Sequence, residues 1–345
     1  MRKVCPVTFN DIASLENICA AWEEFIRGKR NKEDVRAFKL NLADEIMSLH
    51  QSLMDGTYRH GSYIHFRISD PKPRDIHKAM VRDRLLHHAV HRQLYPFYDR
   101  LFIADSFSCR TKKGTHRALD RFCVMARKAS QNHTRACRVL KCDIRKFFAS
   151  IDHAALLAIL AERITDEKLL ELLRGIIGSF EAAPKKGLPL GNLTSQLFAN
   201  VYMDALDEFV KRFLHASFYI RYADDFVLLS HDRNHLIALL PLLQSFLHGR
   251  LKLMLHPSKV FLQTVASGVD FLGWVHFSHH RVPRGVTKQR MFSRIRQCPE
   301  ELTLQSYLGL LLHGDAWELS EQIQNEAWIY GLHNEALLDT EVIEE

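Results

Sequence analysis

Tyr222-Ala223-Asp224-Asp225 lies between two runs of apolar, aromatic and β-branched residues, Phe218–Arg221 and Phe226–Ser230. The flanks read as paired strands, which puts two adjacent carboxylates in the turn of a β-hairpin. Neighbouring acids at a tight turn repel each other unless a positive group stands in front of them, and a divalent cation answers that need. An isolated pair of turn aspartates is ordinarily just solvated. The remainder of the chain argues for the cation.

Upstream of the hairpin lies Val139-Leu140-Lys141-Cys142-Asp143-Ile144-Arg145-Lys146-Phe147-Phe148, an apolar strand that ends in a third aspartate and runs into two aromatics. Taken alone, Asp143 fits a helix cap equally well. Between the acids lies Gly187-Leu188-Pro189-Leu190-Gly191-Asn192-Leu193-Thr194-Ser195-Gln196, a Gly/Pro turn that opens into an amphipathic segment reaching about Leu214. In this order the three elements resemble the palm of reverse transcriptases, and the resemblance runs from about Phe66 to about Phe277. The form Leu190–Gln196, with Gln where group II intron enzymes usually carry Pro, is most similar to the reverse transcriptases of diversity-generating retroelements.

The charge distribution is an independent clue. The formal net charge of +7 conceals a gradient: residues 59–150 hold 21 Lys/Arg against 7 Asp and no Glu, a local balance of +14. Such a surface binds phosphates. Residues 297–345 hold no Lys or Arg and 11 Asp/Glu, so they are poorly suited to gripping a nucleic acid backbone. The 345 residues suffice for a sizeable core and two or three subdomains, but not for added endonuclease, DNA-binding or RNase H domains.

Seven cysteines, an odd number without a CxxC pair, fit free thiols in a reducing, cytoplasmic setting. His87 and His91 fall four apart on an expected helix, yet no second ligand pair accompanies them, so they read as a solvent- or RNA-facing helix surface. No signal peptide is legible. No apolar run approaches membrane length, since the longest candidate, Leu236–Leu247, is short and contains Pro241.

The expected fold is α+β, a right-hand polymerase with fingers, a palm of antiparallel sheet plus helices, and a helical thumb. Residues 1–58 read as helices that buttress the fingers, with apolar spacing through Ile12–Ile26 and Val35–Leu53. Residues 59–138 are the expected fingers: a strand at Tyr63–Ile68, a break at Asp70–Arg74, a basic helix over about Lys78–Tyr95, and a second helix over Arg117–Lys128. Residues 139–284 form the expected palm, with fingers helices interleaved near 153–190, including helices Asp152–Ile164 and Asp166–Ile177. A helix is expected at His235–Leu251 and a hairpin at Val269–Trp274. Residues 285–345 are the expected thumb and acidic tail.

The resemblance implies an RNA-directed DNA polymerase that joins deoxynucleoside triphosphates along an RNA template and the growing RNA/DNA duplex, using two Mg²⁺ ions that Mn²⁺ can replace. Asp143, Asp224 and Asp225 are the implied catalytic acids and metal ligands, with the carbonyl of Ile144 as a further ligand. Lys72, Arg74 and Arg110 are implied to meet the triphosphate, although membership of a basic face explains them as well. Lys259 is the implied proton donor to pyrophosphate, or else a solvated lysine. Phe148 is implied to exclude a 2′-hydroxyl, while continued strand geometry would turn Phe147 into the core. Gly191, Gln196 and Tyr222 are implied template contacts, Gln196 also touching the nucleotide. Phe271, Leu272 and Gly273 are implied to support the primer, with plain core packing as the equal alternative. The subfamily further implies errors opposite template adenine and a small basic accessory protein, which would suit the acidic tail. The competing readings are a phage-defence or group II-like enzyme using its own non-coding RNA, and an RNA-binding protein on an inactive palm.

Overall fold

The computed structural model describes residues 3–69 and 73–331. Four helices open the chain: α1 (Phe9–Ala13), α2 (Leu15–Phe25), α3 (Glu33–Leu40) and α4 (Leu42–Met54). A capping box starts the first, the Thr8 amide donating to the Asp11 carboxylate at 2.7 Å while the Asp11 amide donates to the Thr8 hydroxyl at 3.4 Å. Ile18, Ala21, Trp22 and Phe25 bury one face of α2 at helical spacing.

Strands β1 (Tyr63–Ile68) and β2 (Arg74–Ala79) then pair antiparallel, with Tyr63 opposite Ala79. The expected strand is present at its expected limits. The expected basic helix is not, because Lys78 sits in β2 and the helix, α5 (Val81–Asp99), starts only after that pairing ends. His87 is also misjudged. It is 1 % exposed, its Nε2 lies 3.2 Å from that of His60, and burial depresses its pKa to about 3. The helix turns this histidine inward, since α5 packs against α2 on one side and the central helix described next on the other.

The chain continues through α6 (Thr115–Ala129), β3 (Arg138–Asp143), the single turn α7 (Phe147–Ser150), α8 (His153–Ala161), α9 (Glu167–Gly178) and the central helix α10 (Leu193–Glu208). Asp152 and Asp166 cap α8 and α9, each carboxylate accepting an amide hydrogen three residues on. A π-helical turn, Phe209–Phe213, prolongs α10. Next come β4 (Tyr219–Tyr222), β5 (Asp225–Ser230), α11 (Arg233–Leu251), β6 (Phe261–Thr264), β7 (Val269–Phe271), β8 (Trp274–His276), β9 (Arg281–Pro283), α12 (Gly285–Gln297), α13 (Glu301–Leu311) and α14 (Trp317–Ile329). The architecture is α+β, and its strands form three sheets, a four-stranded one of order β4-β5-β3-β6, the two-stranded β1-β2 and the three-stranded β7-β8-β9. Among the described residues no helix is long and apolar enough to cross a membrane.

Two units divide these elements. The first takes residues 1–114, 141–228 and 234–261, and α10 forms its centre, buried along most of its length and packed on α5 and α8. The second takes residues 115–140, 229–233 and those from 262 onward. Its helices α12, α13 and α14 close around Met291, Ile295, Leu304, Leu311, Leu319 and Ile323. In the same unit Phe271 is fully buried and stacks on Phe122 at 5.6 Å, so its ring is a core group and only Leu272 and Gly273, both at positive φ, form the tip of the β7–β8 hairpin.

Candidate active site

The β4–β5 hairpin pairs Tyr222 with Asp225, leaving Ala223 and Asp224 as its two-residue loop. Ala223 has φ +54°, a left-handed conformation that side chains with a Cβ seldom adopt. Only Asp224 of the two expected turn acids lies in the loop, Asp225 being the first residue of β5, and because β3 lies next to β5 in the sheet, Asp143 at the end of β3 comes beside both. Directly after Asp143, Ile144 bridges antiparallel to Leu255, and the Arg145 amide, already in a turn, donates to the Met254 carbonyl at 3.0 Å. That contact carries the following turn, with Lys259, to the same place.

Two lysines meet the acids. The Lys259 ammonium donates to both oxygens of Asp143, at 3.2 and 3.1 Å, and Lys141 Nζ lies 3.6 Å from Asp225 Oδ2. Burial raises the pKa of Asp225 to about 7; the Asp143 and Asp224 charges add to the rise and Lys141 opposes it. Burial also raises Asp224, helped by Asp143 and opposed by Lys259 and Arg74. Asp225 Oδ1 is buried with no hydrogen-bond partner. A buried acceptor left unpaired is costly, and here it sits where three carboxylates already repel.

Among the described residues no three acids, histidines or cysteines are drawn into a metal cage. The donor set nevertheless fits Mg²⁺, which prefers one or two carboxylates, retains water and takes further oxygens from substrate phosphates. An orphaned oxygen at Asp225, a lysine-paired Asp143 and a raised Asp224 make a site that a cation would relieve.

The other expected residues divide sharply. Arg74 begins β2, exposed, with its charge felt at Asp224. Lys72 lies outside the described residues. Arg110 is spent within the protein: its guanidinium is 5 % exposed and donates to Asp99, to the Ile103 and Ser106 carbonyls and to the Ser106 hydroxyl. Arg110 thereby staples its own loop. Phe148 is half-buried, its ring edge-on to buried Phe147 at 5.3 Å. The two aromatics diverge because α7 begins there, after Lys146 at φ +46°, rather than because a strand continues.

Gly191 and Gln196 stand exposed at the start of α10, on a groove of about 370 Å³ also lined by Phe66, Ile76, Lys78 and Arg84. Gly191 has φ +109°, and a Cβ there would come within 2.9 Å of Ile76. Asn192 fixes this turn to β2, its Nδ2 donating to the His77 carbonyl at 2.9 Å while its Oδ1 accepts from the Ala79 amide at 3.3 Å. Tyr222 is half-buried at the end of β4.

Sequence reading missed Lys141 and the buried pair Asp207–Arg221. A charged residue within the apolar run Phe218–Arg221 was the available signal for the second.

Comparison with known proteins identifies the family. The reverse transcriptase (RNA-dependent DNA polymerase) family matches residues 69–276. Protein YkfC of Escherichia coli is 25 % identical over 301 residues, covering 75 % of this chain and 77 % of YkfC. The group II intron-encoded protein LtrA of Lactococcus lactis is 27 % identical over 176 residues, which is 48 % of this chain and 28 % of LtrA. A telomerase from Candida albicans, solved with a fragment of telomeric RNA, superposes with a TM-score of 0.52 at 13 % identity, covering 81 % of this chain and 57 % of that one. The fold is thus that of a right-hand polymerase, and the chain belongs to the reverse transcriptase family.

Proposed function

We propose that this protein copies a structured element RNA into DNA by two-metal nucleotidyl transfer, with errors concentrated opposite template adenine as in diversity-generating retroelements. The single observation that carries the polymerase reading is the meeting of Asp143, Asp224 and Asp225 at one strand end, with Asp225 Oδ1 unpaired. Asp143, Asp224 and Asp225, with the Ile144 carbonyl, would hold Mg²⁺ or Mn²⁺, which when bound would acidify the primer 3′-hydroxyl and offset charge on the phosphate.

The chain's own residues supply the rest. Arg74 offers a two-pronged donor to the triphosphate, with Lys72 beside it in sequence. Lys259, already paired with a carboxylate, is placed to pass a proton to the leaving pyrophosphate. Phe148 presents a ring edge that a 2′-hydroxyl would strike. Gly191 and Gln196 form the side of the groove against which a template base and the nucleotide would rest, the Gln196 amide both donating and accepting. Tyr222 would meet the template from the hairpin. The Leu272-Gly273 turn is assigned to the primer on the resemblance of its sequence alone.

The error-prone reading rests on the Leu190–Gln196 sequence and on the exposure of Gln196. A basic accessory protein would follow from the same subfamily and from the acidic C-terminal residues, of which 332–345 lie outside the described ones. The similarity to LtrA favours a second reading, a group II-like or defence enzyme with its own RNA. Sequencing DNA copied from a defined RNA separates them. Loosening a base-pair pocket by a contact or two reduces discrimination by roughly tenfold to two-hundredfold. Errors confined largely to template adenine support the first reading, and an even spectrum over the four bases supports the second.

A further inference from the structure

Arg221 reaches forward to the turn that it precedes. Its guanidinium is 1 % exposed and the Asp207 carboxylate is fully buried. Nε donates to Oδ1 and Oδ2 of Asp207 at 2.8 and 3.0 Å, and Nη2 donates to Oδ2 at 2.7 Å. The remaining nitrogen, Nη1, donates to the Ala223 carbonyl at 3.2 Å and to Asn200 Oδ1 at 3.3 Å. Asp207 also accepts from the Tyr219 hydroxyl at 2.7 Å, and Asn200 Nδ2 donates to the Ser108 carbonyl at 2.9 Å. The backbone of Arg221 is held as well, its amide donating to the Asp105 carbonyl and its carbonyl accepting from the Phe107 amide, each at 3.0 Å.

A planar fork tied through two nitrogens has a fixed orientation, so the third nitrogen is aimed. Its target is the carbonyl of the residue at φ +54°, in the peptide that joins Ala223 to Asp224. Fixing that carbonyl fixes the peptide plane from which the Asp224 side chain departs. An apolar pair of equal volume could fill the same space, since buried ion pairs are not in themselves a source of stability, but it would have no donor for the turn.

We propose that the Asp207–Arg221 pair, braced by Asn200, is a positioning device that sets the direction of the Asp224 carboxylate. The inference rests on the reading of Asp224 as a metal-holding residue. Partners that orient a metal ligand typically change metal affinity or activity by about 10- to 100-fold when lost. Arg221→Lys keeps the charge and removes the fork. In that variant Mn²⁺ binding, followed by electron paramagnetic resonance without nucleotide, should weaken by about tenfold or more, and single-turnover extension should slow to match. Primer–template affinity should stay at the wild-type value.

A pair that only fills space would lower the melting temperature while leaving Mn²⁺ affinity and the rate per folded molecule unchanged, and that result overturns the proposal. Should Arg221→Lys fail to fold, Asn200→Ala decides: weakened Mn²⁺ binding supports the device, and wild-type binding rejects it. Asp224→Asn is measured alongside. If it binds Mn²⁺ and extends primers normally, the reading of Asp224 has failed and the device with it. If Asp224→Asn is inactive beside a wild-type-like Arg221→Lys, the positioning role alone is wrong.

Discussion

Lys259 grips both carboxylate oxygens of Asp143, at 3.1 and 3.2 Å, although its own side chain is 45 % exposed. An exposed lysine held by two contacts is a movable cation that can exchange a carboxylate for a phosphate. Lys259→Ala should therefore slow single-turnover extension by about 10²-fold, the lower range for a positioned proton donor, with primer–template affinity unchanged. Rapid-quench measurement of one nucleotide addition checks this. A change below about twofold would return Lys259 to the solvated surface.

Phe148 offers a test at the sugar. The ring is half-buried against Phe147, and truncation opens space without removing a charge. Phe148→Ala should raise ribonucleotide incorporation relative to deoxynucleotide by about tenfold or more, the usual scale of steric discrimination. Competition between the two nucleotides on one primer measures the ratio, and an unchanged preference would place the gate elsewhere.

Asp204 and Asp225 give the stability a pH dependence. Burial raises both carboxyls from 3.8 to about 7, with Asp207 adding to the effect at Asp204. The folded chain thus binds more protons than the unfolded one between those values. Stability from these groups is full below the unfolded pKa and lost as pH rises to about 7. Buried His87, His88, His91 and His276, held neutral, slope the other way over much of that window, so the informative quantity is a difference. Relative to wild type without metal, Asp204→Asn should gain stability from pH 5 to pH 7.5 in urea titrations. A difference that stays constant with pH would refute the assignment.

Much of this was legible because the pattern was local. Alternation located β1, Asp152 and Asp166 marked the starts of α8 and α9, and a two-residue loop between apolar runs fixed the β4–β5 hairpin. The second strand was not legible. Arg-Asp-Ile-His-Lys-Ala has no apolar alternation, and only its pairing with β1 makes it extended. Likewise Arg221 read as the end of a run, since its partner Asp207 lies on the preceding helix. The pairing of Lys141 with Asp225 follows from β3 lying beside β5, a sheet order that no window of sequence contains.

The most direct test of the account is extension of a DNA primer on an RNA template with deoxynucleotides and Mg²⁺, comparing wild type with Asp143→Asn and Asp224→Asn. Carboxylates that act through a metal can be removed without weakening phosphate contacts made elsewhere. A metal site at these aspartates predicts template-dependent extension by wild type, its loss in both variants, and near-normal RNA binding by all three. Extension that persists in both variants would contradict it.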